Sequence, residues 1–275
     1  MDSAEMTESN LNATNLFQTV WKVPNYQRAL INYMIKGSNR RSLVEKIKNV
    51  TICDRNDNDI MKEIIDMIGH KKHITNDRTK NRTDDILNLL SEIDNGGDFI
   101  ATRPSLQPTL QPTILDYGCG DGQIAICLAS HINITDPGNI YCVDIKPANI
   151  TGARYLSNTS TIPSGSINLA IALVSFHHMK NVNDNIAELR RVITADGILI
   201  IREHDFDGSI AQRAYLDLIH LYADMTNNEP FDQPNYQSSA AWTQKLQRYG
   251  FSLKKITKLA GNNPQGLYYA VYCVI

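Results

Sequence analysis

In "ILDYGCGDGQ", Ile114 to Gln123, an aspartate is followed by a glycine at every second position: Asp116, Gly118, Gly120, Gly122. Glycines spaced this way after an apolar run leave backbone N–H and C=O groups bare enough to approach a ligand closely. A second acid, Asp144, closes the next apolar run, "IYCVDI", 22 residues after Gly122. A carboxylate there can accept from both hydroxyls of a ribose in a charge-assisted pair. Further along, Ser175, His177 and His178 follow "INLAIALV", and Glu203, His204 and Asp205 follow "GILIIR". Titratable groups at strand ends can take a proton from a bound acceptor or hold it in line. Plainer roles exist: His177 or His178 as a cap of the following helix, and Asp144 as a cap before "KPANI".

These residues need a scaffold, and the chain past about residue 110 supplies its pattern. "TILDYG", "NIYCVDI", "INLAIALVS" and "GILIIREHD" read as strands. Between them lie helical segments at "QIAICLASHI", from about Pro147 to Leu156, and from Val182 to Val192. Later come helices around Gln212–Tyr222 and at "AAWTQKLQRYG", then "FSLKKITKLA" and "GLYYAVYCVI" joined by "GNNPQG". Apolar strands alternating with helices mean a mostly parallel sheet covered on both faces, and the final hairpin makes one of its strands antiparallel. The loop is not the dinucleotide fingerprint, which needs glycine where Gln123 stands, nor a P-loop, which needs G-K-[ST].

Upstream the pattern is helical. "YQRALINYMIKGSNRRSLVEKIKNV" breaks at Gly37-Ser38-Asn39; "DNDIMKEIIDMIGHKK" has Asp57 or Asp59 as N-cap and Gly69 as a stop; "DDILNLLSEIDNGG" starts acidic and ends at Gly96. "RPSLQPTLQPT" cannot be helix interior and reads as a linker. The expected organisation is a disordered tail at 1–20, a basic helical region at 21–103, and the α/β domain at 104–275. Residues 22–82 hold 14 Lys/Arg against 7 Asp/Glu, whereas residues 83–275 hold 13 against 19. Such an excess suits either a solvated helical surface or a contact with a polyanion, most simply nucleic acid. No apolar run is long enough to span a membrane, and the polar, acidic start is unlike a secretory signal. Five scattered cysteines without CxxC spacing fit neither a disulfide frame nor a zinc site, so no metal is expected.

The D-x-G-x-G-x-G run, the acid at Asp144, "LVSFHHMKNV" and "ITADGILIIREHD", and "WTQKLQRYGF" before the closing hairpin together resemble the class I S-adenosylmethionine (SAM)-dependent methyltransferases over about residues 110–275. The resemblance implies a Rossmann-like sheet of seven strands with an antiparallel last hairpin, SAM as cofactor, and a transferase activity. It also implies a cofactor site around Asp116, Tyr117, Gly118, Cys119, Gly120, Gly122, Asp144 and Ile145, with Ser175 nearby. Asp116 would position the methionine amino group, directly or through water. Two positions depart from the family: Asn168 stands where an early fourth-strand acid is usual, and the segment after the third strand offers Ser157, Asn158 and Ser160 in place of an acidic adenine contact; Asn158 is the candidate.

Methyl transfer from a sulfonium is an in-line displacement, so alignment dominates and a proton-bearing acceptor also needs a base. Glu203, His204 and His177 are the catalytic candidates, with Asp205 at the same edge. "IIREHD" and "NPQGLYYAVY" also resemble segments of methyltransferases of large DNA viruses of eukaryotes. That resemblance, with the basic N-terminal region, implies an RNA acceptor, possible association with mRNA capping, and a cytoplasmic location such as the viral factory, or the virion itself. The alternatives are a small-molecule methyltransferase with the N-terminal helices as a lid, and a SAM-fold subunit that binds a partner without catalysis.

Overall fold

The computed structural model describes residues 15–35, 40–51, 55–69, 76–93, 112–146, 148–231, 233–259 and 264–275. The expected break at 37–39, Gly96, residues 103–111 of the expected linker, the 103/104 boundary and residues 1–14 of the expected tail lie outside them. Among the described residues no helix is long and apolar enough to cross a membrane. The chain divides into two compact units.

The first unit is helical: α1 (Leu16–Trp21), α2 (Pro24–Met34), α3 (Arg40–Thr51) and α4 (Asp57–Ile68), joined by α8 (Ile210–Asn227), which lies much later in the chain. Pro24 opens α2 at a position where a missing N–H costs nothing. α1, α2 and α4 pack on α8, with Tyr26 against Tyr215 and Tyr33 against Tyr222 at ring separations of 5.5 and 5.9 Å. Two expectations are corrected. Residues 16–20 are helix rather than tail, because Phe17 and Val20 are buried. The N-cap of α4 is Asn56; Asp57 instead accepts from the Leu16 and Phe17 amides at 2.8 and 3.2 Å, satisfying the start of α1.

The second unit is the α/β layer. Its seven strands are β1 (Ile114–Tyr117), β2 (Ile140–Val143), β3 (Arg154–Leu156), β4 (Ile167–Leu173), β5 (Ile193–His204), β6 (Phe251–Lys258) and β7 (Leu267–Val274), in the order β3-β2-β1-β4-β5-β7-β6. All neighbours are parallel except those of β7. The helix expected over 147–156 is absent from its described residues; β3 lies there after a turn at Gly152, whose φ of +94° a helix would not admit. α5 (Asn76–Ile93) and α6 (Gln123–His131) cover one face through Ile86, Leu89, Leu90 and Leu128. α7 (Val182–Val192) and α9 (Ser239–Arg248) cover the other through Ile186, Leu189, Trp242 and Leu246. Each fully buried Leu or Ile contributes about 1.5–3 kcal/mol, so these two seams hold the layers together. α5 therefore belongs with the sheet, and residues 206–234 belong with the helical unit. β1 sits where the strand order reverses, which is where ligands bind in such sheets.

Candidate active site

The β1–α6 turn is built by close approach. Gly118, Gly120 and Gly122 all have positive φ, but two of them differ in their surroundings. A Cβ on Gly118 would lie 2.6 Å from Ser175 Cβ, whereas one on Gly120 would meet nothing within 4 Å. Gly120 faces open space, and Gly118 lets β4's end come close. Gly118 and Cys119 donate to the Val143 carbonyl at 2.8 and 3.2 Å. The Asp144 carboxylate accepts from Gly120 N at 2.8 Å and from Lys146 N at 3.0 Å, so it fixes the glycine turn, and each oxygen keeps a further lone pair. Next in sequence, Ile145 is 88% exposed, an apolar side chain standing in solvent.

A cavity of about 170 Å³ opens on this turn. Asp116 and Leu173 line it from the sheet, Ile124 from α6, and Arg78, Thr79 and Arg82 from α5. Asp116 is buried, and burial pushes its pKa up to about 7; Arg82 pulls it down while Asp144 and Asp121 push it further up. Burial lowers Arg82 to about 9, helped by the charges of Arg202 and Arg78. A carboxylate facing a guanidinium across a small cavity is prepared for a ligand that carries both an amine and an acid.

At the carboxyl ends of β4 and β5 lies a second constellation. Glu203 is fully buried and accepts from Ser175 N at 3.0 Å, from Phe176 N at 2.7 Å, and lies 2.5 Å from His177 Nδ1. Burial raises Glu203 to about 7 against the pull of His204, His178 and both amides. Burial also holds His177 well below its ordinary 6.5, with the adjacent His178 in the same sense. His177 stacks with Tyr236 at 5.6 Å and meets the His204 ring at 5.1 Å. Val174, immediately before this turn, has φ +59°, a strained setting for a β-branched residue. Its amide donates to Arg202 O at 2.6 Å, and the Glu203 bonds to the next two amides hold it there.

Of the cofactor candidates, Asp116, Gly118, Cys119 and Gly120 line the cavity, Asp144 bonds to the lining Gly120, Ile145 follows it exposed to solvent, and Gly122 packs at the start of α6. Tyr117 contributes backbone only, since its hydroxyl turns away to Asn185 at 2.6 Å. Ser175 donates to Tyr117 O at 3.1 Å. Asn158 bonds within its own loop, accepting from Ser160 N and Oγ, and does not line the cavity. The catalytic candidates His177, Glu203 and His204 are brought together. Asp205 is engaged elsewhere, accepting from Ser239 N at 2.7 Å and pairing with Lys258 at 2.8 Å. Asn168 accepts from Thr113 N at 2.8 Å, pinning the entry of β1 to β4. Sequence reasoning missed Arg78, Thr79, Arg82 and Tyr236; the i, i+4 spacing of Arg78 and Arg82 was the available sign that they share a helix face.

A family model described as a Methyltransferase domain matches residues 75–256, more than half of the chain. No curated protein matches it. Similar solved structures include a type 11 methyltransferase from Sulfolobus solfataricus, 20% identical over 63% of this chain and 90% of that one, with TM-score 0.40. Another is an S-adenosylmethionine-dependent methyltransferase from Listeria monocytogenes, 15% identical over 69% and 99%, TM-score 0.45. A third is the Burkholderia thailandensis 1,6-didemethyltoxoflavin-N1-methyltransferase with bound 1,6-didemethyltoxoflavin and S-adenosylhomocysteine, 13% identical over 74% and 92%, TM-score 0.43. The match of the family model carries the family assignment.

Proposed function

The chain belongs to the methyltransferase-domain family and is a SAM-dependent methyltransferase; from that premise we propose that it methylates an acceptor which gives up a proton to His177. When bound, SAM supplies the electrophilic methyl group. The donor set fits it: Gly120 leaves open the space a Cβ would occupy, Asp116 is a buried carboxylate suited to an ammonium, and Arg82 is a cation suited to a carboxylate. Asp144 would take the ribose hydroxyls, and Ile145 would cover a flat apolar ring.

The observation that carries the reading of the acceptor side is the buried His177–Glu203 pair. With Nδ1 donating to Glu203, the lone pair of the neutral ring sits on Nε2; burial keeps the ring neutral, and the Glu203 carboxylate would stabilise the imidazolium formed when Nε2 takes the proton. Glu203 fixes tautomer and orientation; it is a positioning residue. Glu203→Gln and His177→Asn should lower turnover by about 10²–10⁴-fold while calorimetry with S-adenosylhomocysteine shows little change; equal losses of both would move the pair to cofactor support.

Two acceptors are distinguished by observations. The deep burial of His177, Glu203 and His204, at 2, 0 and 3% exposure, favours a small molecule. Exposed Arg41 and Lys46 on α3, within the basic stretch, favour RNA, in line with the resemblance to viral methyltransferases and a role at the mRNA cap in the cytoplasm. A tritiated-methyl transfer assay across capped RNA, uncapped RNA, DNA, protein and metabolite extracts separates them; transfer to none leaves a cofactor-binding subunit without catalysis.

A further inference from the structure

We propose that Arg202, assisted by Arg78, forms an anion subsite beside the cofactor pocket that takes a carboxylate or phosphate on a small acceptor molecule. This rests on the SAM-dependent reading and adds the acceptor's charge to it. At the carboxyl end of the sheet, Asp116 of β1 stands beside Ile171 of β4, Leu173 of β4 beside Arg202 of β5, and Arg202 beside Tyr269 of β7. Paired residues on neighbouring strands project to the same face, and Leu173 lines the cavity. The Arg202 side chain therefore leaves the sheet on the cavity's side, beneath α5.

Its guanidinium carbon lies 5.7 Å from the Tyr269 ring centroid, and its Nε is buried without a hydrogen-bond partner. Among the described residues no carboxylate lies within ion-pair distance of Arg78, Arg82 or Arg202. Asp85 accepts instead from the Tyr269 hydroxyl at 3.2 Å. Burial lowers Arg202's affinity for its proton, with Arg78 in the same sense and Tyr269, Asp85 and Glu203 acting against them. A desolvated cation without an ion-pair partner is costly, and the charges of Arg78 on Arg202, and of Arg202 on Arg82, add to that cost.

Charge counting then restricts the acceptor. SAM carries a sulfonium, an ammonium and a carboxylate, so it adds one net positive charge. Its carboxylate can neutralise one of the three arginines, and its ammonium meets Asp116. Of the charges that remain, Asp121 lines the cavity and Asp85 acts on Arg202, so the preference for an anion is local to the Arg202 guanidinium, whose buried Nε has no partner.

The test uses the full chain saturated with S-adenosylhomocysteine and titrated calorimetrically with inorganic phosphate and, separately, with acetate. Saturable binding of at least one is expected. Arg202→Gln should weaken it by about tenfold or more, as loss of a charged hydrogen bond implies, with the affinity for S-adenosylhomocysteine held within about threefold, whereas Arg202→Lys retains most of it. If Arg202→Gln does not fold, the parent chain and Arg78→Gln decide. S-adenosylhomocysteine binding without anion binding overturns the subsite alone; no S-adenosylhomocysteine binding overturns the methyltransferase reading beneath it. In the metabolite-extract arm, labelled product should be retained by an anion exchanger, and phosphatase treatment then separates phosphate esters from carboxylates, either supporting the proposal. Label in RNA, or in neutral or cationic product only, overturns it.

Discussion

Gly118 and Gly120 share a left-handed backbone, yet substitution should separate them. Alanine at Gly120 should cost about 1–2 kcal/mol, the penalty of the left-handed conformation, because nothing stands near its Cβ. At Gly118 the same change must also displace Ser175, whose Cβ would lie at 2.6 Å, so a larger loss of stability is expected in denaturant melts. Loss of S-adenosylhomocysteine affinity exceeding loss of stability is expected at Gly120 only. Asp116 gives a pH signature. Its pKa is raised from 3.8 to about 7 by burial, so the favourable contribution of its neutral form is complete below about 4 and disappears as pH rises through about 7. At about 1.4 kcal/mol per decade this amounts to roughly 4 kcal/mol in the free chain. Glu203, raised from 4.5 to about 7, acts with the same sign. Urea midpoints from pH 4.5 to 7.5 should therefore fall less in Asp116→Asn than in the parent. Since an ammonium ligand prefers the ionised form, affinity for S-adenosylhomocysteine should rise with pH toward 7, and this rise should vanish in Asp116→Asn.

Among the elements, α5 decides most. Its apolar residues Ile86, Leu89 and Leu90 seat it on the sheet, Tyr269 and Lys255 bond to its Asp85 and Glu92, and its first turns present Arg78, Thr79 and Arg82 to the cavity. Packing at Ile86 and the cavity wall are thus one piece of structure. Ile86→Ala should cost about 2–4 kcal/mol of stability, as buried truncations do, and should weaken S-adenosylhomocysteine binding although Ile86 does not line the cavity. Unchanged affinity in a variant destabilised to that extent would show that α5 is not the wall. The turn after β4 behaves similarly: the strained Val174 is held by neighbours whose amides end on Glu203, so Glu203→Gln should raise amide exchange at Ser175 and Phe176 as well as slow turnover.

For the molecule as a whole, charge distribution is the lever on the acceptor. If the cations of residues 22–82 grip RNA, binding should weaken steeply with salt, with log K against log salt sloping by roughly −3 to −4 for four to six phosphate contacts on single strands. Arg78 and Arg82 face the cofactor cavity, so the slope should come from residues such as Arg41 and Lys46, and Arg41→Gln with Lys46→Gln should flatten it by about one to two. A salt-independent interaction, or none, removes RNA as acceptor. The glycine run, Asp144 and the alternation of strand and helix were legible from the sequence because turn chemistry and side-chain periodicity are local. The same locality made His177, Glu203 and His204 recognisable as residues at strand ends. Local spacing carries no information on which distant segments meet. The structure alone decided that α5 seals the cavity while residues 206–234 join α1–α4, and that Asp57 caps a helix some forty residues earlier. It likewise decided that Tyr117 turns away, that Asp205 is taken by Ser239 and Lys258, and that Arg202 comes up beside Leu173. Each is fixed by packing and by the need to satisfy buried donors and charges, which only the folded chain brings within reach of one another.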